Sequence, residues 1–419
     1  NGERVTAFHY EESWKQALCS TDIPSEPFFT LKNAQKIHDK KKPLGDLGVE
    51  ALDDKTLKIM LERPDPFFFE KLAHPLFFPC FSPAQKEPEQ YNGPFVVRKY
   101  NNEELILENN PYFWERNNLY FEKVCVRYSQ KDFDVLESFK KEEIDWIGAP
   151  LHPILPNYVP FLTDRGLLKQ KEKIRPFWVY FNTRCHLFSS TAVRQALSGS
   201  LNRSYIVKYI FKGDIPLYSV LPNGISNPSP EKEHLSEEQA RRIFNRGLRD
   251  LGYSPKTSPS IHIIFYRYPG HIELAAYLKK RWEDLFGIRV ITTGLNWNQF
   301  CNRLDRREFQ LAGFSDSVLS QDPLETLTRF ERANSPYNFS LWESTAYQKK
   351  MTEAKSAFSL DQRNQLLQEA ESILMNDSPL IPIVNHRTIY AHNPKLEGFV
   401  FDHGECIDFR WAFLRETIC

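Results

Sequence analysis

The stretch from 261 to 295 constrains the fold more than any other part of the chain. It opens with "IHIIFYR" (261–267), an apolar run of strand length. "HIELAAYLKKRWEDLFG" follows with apolar residues at helical spacing, and "IRVITTGL" (288–295) closes the unit as a second strand. Strand, helix, strand at this spacing predicts a βαβ unit with parallel strands and a right-handed crossover. The fold class is therefore α/β.

The remaining elements extend that reading to at least two lobes. "HLSEEQARRIFNRGLRDLGY" (234–253) is a fully signed helix. Ser236 and Gln239 make a capping box, Ala240, Ile243, Phe244, Leu248 and Leu251 form the apolar stripe, and Gly252 closes the end. "RPFWVYFNT" (175–183) is an aromatic strand that leads into a helix over "STAVRQALSGSL", and "FQLAGF" (309–314) is a short strand. A helical pair spans 345–376 before "PLIPIVNHRTIYAH" returns to strand. Nearer the start, a helix is expected over Ala7–Cys19 and a strand–turn–strand over 48–66. "NGPFVVRKYNNEELILENNPYFW" (92–114) alternates with period 2 on either side of an Asn-rich turn and stops at Asn109-Asn110-Pro111, a hairpin pattern. "FEKVCVRYS" (121–129) and "IDWIGAP" (144–150) are strand-like around a helix, a rhythm that places a domain start near 120. With 419 residues there is room for two or three domains.

Charge narrows the function. Lysine plus arginine equals aspartate plus glutamate, 54 against 54, which argues against a nucleic-acid binder, since that needs a basic surplus. No window approaches the roughly 18 consecutive apolar residues of a membrane span. The first residues lack a signal-peptide pattern, so the protein is cytosolic, or a leader has been removed or lies outside the given sequence. Seven scattered cysteines with no C-x-x-C pair assign no disulfide.

Catalytic motifs are missing. There is no phosphate loop, dinucleotide fingerprint, zincin motif or calcium loop. "GFSDS" (313–317) approaches a nucleophile elbow, but serine stands where the tight turn needs its last glycine, so no catalytic serine is expected. "EEIDW" (142–146) reads as a solvated turn with Ile144 and Trp146 buried. His262 and His271 flank a strand as structural or ligand-facing groups, and His386, His392 and His403 define no metal site. Neither cofactor nor metal is expected. Phe177, Trp178, Tyr180, Trp297, Phe314 and Tyr390 stand at strand ends. Singly each suits a core; as a set they suit a cleft that holds an organic ligand by area and stacking.

Six stretches, in order, carry a resemblance. They are "NGERVTA" with its Ser-Trp helix, "KKPLGDLGVEALDDKTLKIMLERPDPFFFEKLAHPLFFP", the 92–114 hairpin, "YFNTRCHLFSSTAVRQALSGSLNRSYIV", "PLIPIVNHRTIY" and "IDFRWAFL". Together they resemble the extracytoplasmic solute-binding proteins of peptide ABC transporters, the oligopeptide- and dipeptide-binding family, and its oligopeptide branch most. The resemblance runs from residue 1 to about 413. It implies a two-lobed periplasmic-binding-protein-like fold (type II, cluster C) with an extra domain at 1–119, lobe I at 120–222 with 392–419, and lobe II at 223–391. Family members carry further residues ahead of the matching opening segment, so part of lobe I is expected to be missing. The implied function is to bind short peptides in an interlobe cleft and deliver them to an ABC permease. The protein would be a monomer without enzymatic activity, periplasmic or anchored at the outer face of the bacterial cytoplasmic membrane.

Two departures bear on the ligand. The family holds the peptide ammonium with an aspartate three residues after a Gly-Trp pair. Here the pair is Gly313-Phe314, the third position is Ser317, and Asp316 stands one place short. Where the oligopeptide branch has an arginine before Ala-Gly-Trp, this chain has Leu311. A buried ammonium needs a counter-charge, so Asp316 is expected to supply it. Trp297 and His271 match family cleft positions, an aromatic wall and a histidine reaching the ligand. Phe314, Ser317, Trp178, Tyr180 and Asn182 complete the expected site. Alternatives left open are a non-peptide solute (a metal chelate, haem or modified peptide), a sensory or chaperone module, and, last, a hydrolase.

Overall fold

The computed structural model describes residues 4–20, 25–80, 91–128, 132–152, 154, 155, 157–222, 235–253, 259–316, 322–357, 359–401 and 406–415. Ser317 and His403 lie outside them. The chain forms two compact units, Asn1–Lys169 with Ile389–Cys419, and Gln170–Thr388.

In the first unit the helix Ala7–Cys19 forms as expected, opened by His9 Nδ1 accepting the Thr6 N–H at 2.9 Å. It buries Trp14, whose indole N–H donates to the Phe77 carbonyl at 2.9 Å. Phe28, Leu31 and Phe77 pack around that ring, beside the antiparallel pair Val49–Ala51 and Leu57–Ile59. The hairpin is Phe95–Tyr100 with Glu104–Asn109. Asn101 Oδ1 makes its turn by accepting the Glu103 and Glu104 N–H groups at 2.9 and 2.8 Å. Asn110 ends it. Its buried amide donates to the Tyr91 and Gly93 carbonyls and its Oδ1 accepts the Tyr112 N–H, so one side chain ties both flanks of the hairpin.

Lys123–Arg127 does not pair with Trp146–Gly148, as the strand–helix–strand rhythm suggested. It adds a third antiparallel strand to the hairpin, with Val126 opposite Leu105 and Val124 opposite Leu107. The exposed edge of Glu104–Asn109 was the nearer partner, and the apolar alternation matched in register. Trp146–Gly148 instead pairs antiparallel with Tyr390–His392. There Trp146 and Tyr390 stack at 4.7 Å.

The second unit is built on one sheet. Its order is Arg289–Leu295, Ser260–Tyr266, Leu311–Ser315, Lys169–Phe181, Leu380–His392, with Ile215–Pro216 on the last strand. Ser260–Tyr266 and Arg289–Leu295 are parallel, Val290 opposite Ile261, as the βαβ pattern requires. Leu311–Ser315 runs parallel to Ser260–Tyr266 and antiparallel to Lys169–Phe181.

Strand alternation sorts the apolar residues into two cores. Phe177, Val179, Phe181, Ile261, Ile263 and Leu311 face one, where Val193, Phe244, Leu278 and Trp282 cover them from three helices. Trp178, Tyr180, Ile264, Ala312 and Phe314 face the other, under Phe300, Leu327, Met351 and Leu374. Each buried Val, Leu, Ile, Phe or Met among them stabilises the fold by about 1.5–3 kcal/mol, and neither core survives a one-residue register slip. Gly313 keeps the central strands close: a Cβ there would meet the Phe177 ring and Val179 at 3.3 Å.

Candidate functional site: the strand ends of the second unit

Ligands of open α/β sheets gather beyond the carboxyl ends of parallel strands, where loops leave the sheet. Three neighbouring parallel strands of the second unit end at Leu295, Tyr266 and Ser315. Just past them stand Trp297, His271 and Asp316.

Local chemistry places each of the three. Asn296 caps the helix Trp297–Asp305, its Oδ1 accepting the Gln299 N–H at 2.9 Å. Trp297 is thereby the first helical residue, 54 % exposed, its ring edge-on to Tyr266 at 5.3 Å. Gly270, at φ +84°, opens the helix His271–Phe286, and a Cβ there would lie 2.7 Å from the Phe211 ring. His271 is consequently driven inward, edge-on to Phe177 at 4.9 Å and to Tyr266 at 6.1 Å. Burial, then repulsion from His386, lowers its pKa to about 3, against a hydrogen bond to the Tyr266 backbone that favours the charged form. The ring is neutral at physiological pH, and its Nδ1 has no hydrogen-bond partner among the described residues.

Asp316 leaves the sheet with its N–H bonded to the Pro176 carbonyl at 2.9 Å. Its carboxylate accepts from Arg329 Nη1. Burial by itself would lower the Arg329 pKa, but the charge of Asp316 overrides that and raises it. Tyr180 lies close enough for burial and then Asp316 to push its phenol well above the ordinary value, although among the described residues its hydroxyl meets no hydrogen-bond geometry.

The other expected residues fall into two groups. Phe314, Tyr180 and Trp178 form a buried aromatic layer: Phe314 stacks on Tyr180 at 5.2 Å, and Tyr180 is edge-on to Trp178 at 6.0 Å. Phe300, which the sequence reading did not single out, joins this layer to Trp297 through ring contacts of 5.8 and 6.3 Å. Asn182 stands at the other end of the sheet. Its N–H bonds the Gln310 carbonyl at 2.9 Å and its amide donates to the Phe309 carbonyl at 3.0 Å, at the start of the strand that ends beside Asp316. At about 3.3 Å per residue, five residues of strand separate the two by roughly 17 Å.

Three residues outside the expected set share the strand end: Ser315, His386 and Asp214, joined by hydrogen bonds of 2.8 and 2.6 Å. They come from separate parts of the chain, and although "GFSDS" marks Ser315, no local spacing joins it to His386 or Asp214. Arg329 was missed for the same reason. Among the described residues, no group of three or more His, Cys, Asp or Glu side chains is placed to hold a metal ion.

This is the fold of solved solute-binding proteins. The structure is similar to that of the Escherichia coli murein tripeptide binding protein MppA, with a TM-score of 0.85 and 24% identity over 99% of this chain and 85% of that one. It is similar also to Haemophilus influenzae OppA in complex with RPPGFSPFR, with a TM-score of 0.84 and 20% identity over 99% and 85%. Among curated relatives, the oligopeptide-binding protein OppA of Bacillus subtilis is 25% identical over 99% of this chain and 80% of its own length. Residues 1–338 match the family of bacterial extracellular solute-binding proteins, family 5 Middle. The chain belongs to that family.

Proposed function

We propose that this protein captures short peptides at the strand-end site and hands them unchanged to an ABC permease at the outer face of a bacterial cytoplasmic membrane. One observation carries the reading: Asp316, Trp297 and His271 follow three adjacent parallel strands, so a carboxylate, an aromatic face and a neutral imidazole share one sheet edge. An extended peptide offers matching groups. Its ammonium is drawn to Asp316, its side chains lie on Trp297, and a backbone N–H donates to His271 Nδ1. Phe314, Tyr180 and Trp178 stiffen the floor beneath, and Ser317 follows Asp316 in the chain. The names of the relatives support the ligand class. Among the described residues no helix is long and apolar enough to cross a membrane.

Isothermal titration with mixed tri- to pentapeptides, free-amine against N-acetylated, tests it. Free-amine peptides should bind at least about tenfold tighter, the worth of one charge-assisted hydrogen bond. Failure of every peptide to bind would refute the reading.

The Asp316–Arg329 pair favours a second reading in the same fold, a ligand with no free ammonium, such as a modified peptide. Arg329 already supplies the counter-charge. Equal affinity for the acetylated set, with a blocked peptide recovered by mass spectrometry from the native protein, would select it.

A further inference from the structure

The hydrogen-bonded chain at the end of Leu311–Ser315 has the order of an activated nucleophile. Ser315 Oγ lies 2.8 Å from His386 Nε2, and His386 Nδ1 lies 2.6 Å from Asp214 Oδ2. As a carboxylate Asp214 only accepts, so Nδ1 carries the imidazole proton and Nε2 presents its lone pair to the Ser315 hydroxyl. Asp214 is held in turn. Its second oxygen accepts the Arg387 N–H at 2.9 Å, its own N–H bonds the Phe211 carbonyl at 3.1 Å, and Gly213, at φ +93°, shapes the turn before it. The rings of Phe211 and Phe177 stand edge-on to His386 at 5.3 and 6.0 Å, a low-dielectric wall. The side chains of Asp214 and His386 are 8 % and 18 % exposed.

Nucleophile, base and orienting carboxylate are recognised by geometry and role rather than by sequence order. The missing glycine after "GFSD" therefore excludes an elbow, not a reactive serine. We propose that Ser315 is a nucleophile activated by His386 and Asp214, competent to take the acyl group of an activated ester. Its oxygen bonds the acyl carbon while its proton passes to His386 Nε2. The bond to the leaving alcohol then breaks, and that alcohol departs with the same proton. Water, deprotonated by His386, later adds to the Ser315 ester, releasing the carboxylic acid and restoring the hydroxyl.

One feature limits the reaction. The N–H of Asp316, next to the nucleophile, is engaged by the Pro176 carbonyl, so it does not stabilise an oxyanion. Loss of one such donor costs about 100- to 1000-fold in rate. Activated esters and fluorophosphonates are within reach, while peptide amides are not, and the proposal stands whether or not peptides bind.

The test uses the full chain and a fluorophosphonate probe, whose phosphorus bonds Ser315 Oγ as fluoride leaves. Intact mass should show one adduct per chain, peptide mapping should place it on Ser315, and unfolding in urea should abolish it. p-Nitrophenyl acetate should release about one equivalent of nitrophenol in a burst, the mark of a slow deacylation. His386→Gln and Asp214→Asn, each checked for folding by circular dichroism, should slow labelling by roughly 100-fold or more. Absence of an adduct on Ser315 overturns the proposal. So does an adduct that forms equally fast in either folded variant or in the urea-unfolded chain.

Discussion

The Asp316 carboxylate accepts a hydrogen bond from the Arg329 guanidinium, and both side chains are nearly buried, 15 % and 12 % exposed. The pair joins the residue after the strand Leu311–Ser315 to the residue after the helix Pro323–Thr328. Removing one partner takes away the main counter-charge that offsets burial of the other. Asp316→Asn should destabilise the fold by about 3–5 kcal/mol, whereas Asp316→Asn with Arg329→Met should recover much of that loss. Urea midpoints of the two variants and of Arg329→Met decide it; a single variant as stable as the parent would show that the pair contributes little.

Acid should weaken the second unit through His271. The folded protein leaves this imidazole neutral down to about pH 3, while an unfolded histidine takes up its proton near pH 6.5. The unfolded state thus binds more protons between those values. Stability is complete above pH 6.5 and falls as the pH drops, by at most about 1.4 kcal/mol per unit. Urea unfolding of the parent and of His271→Phe between pH 7 and 4 tests the point, and the variant should show the shallower decline.

Gly270→Ala should cost about 1–3 kcal/mol. The residue has φ +84°, and a Cβ would lie 2.7 Å from the ring of Phe211, which packs on His386. A chemical denaturation curve reads the loss, and an unchanged midpoint would mean that the turn relaxes at no cost.

Trp297→Ala separates binding from folding. Over half exposed and held mainly by ring contacts to Tyr266 and Phe300, the indole should cost less than about 1 kcal/mol of stability when removed. Peptide affinity should fall about tenfold, since a tryptophan at the centre of a contact carries much of its energy. Calorimetry that finds full affinity would take Trp297 out of the site.

Much of the architecture is legible in the chain because it depends on neighbours in sequence. The helix Ala7–Cys19, the Ser236–Gln239 capping box and the βαβ unit from Ser260 to Leu295 rest on periodicity and capping within a few residues. His271, Trp297 and Asp316 came from the family resemblance rather than from local spacing, and each lies just past the end of a strand. The strand Lys123–Arg127 is legible but its partner is not, because alternation tells which face a strand buries but not which edge it joins.

The amino-acid order by itself determined the strands, the helices and the two apolar faces of the central sheet, since a period of two or of 3.6 residues is a local property of the backbone. Only the tertiary structure decided which charges meet. His386 and Asp214 stand 172 positions apart, and His386 and Ser315 stand 71 apart. Whether such groups touch depends on strand order and register, which the summed burial of both cores selects and which no short stretch encodes.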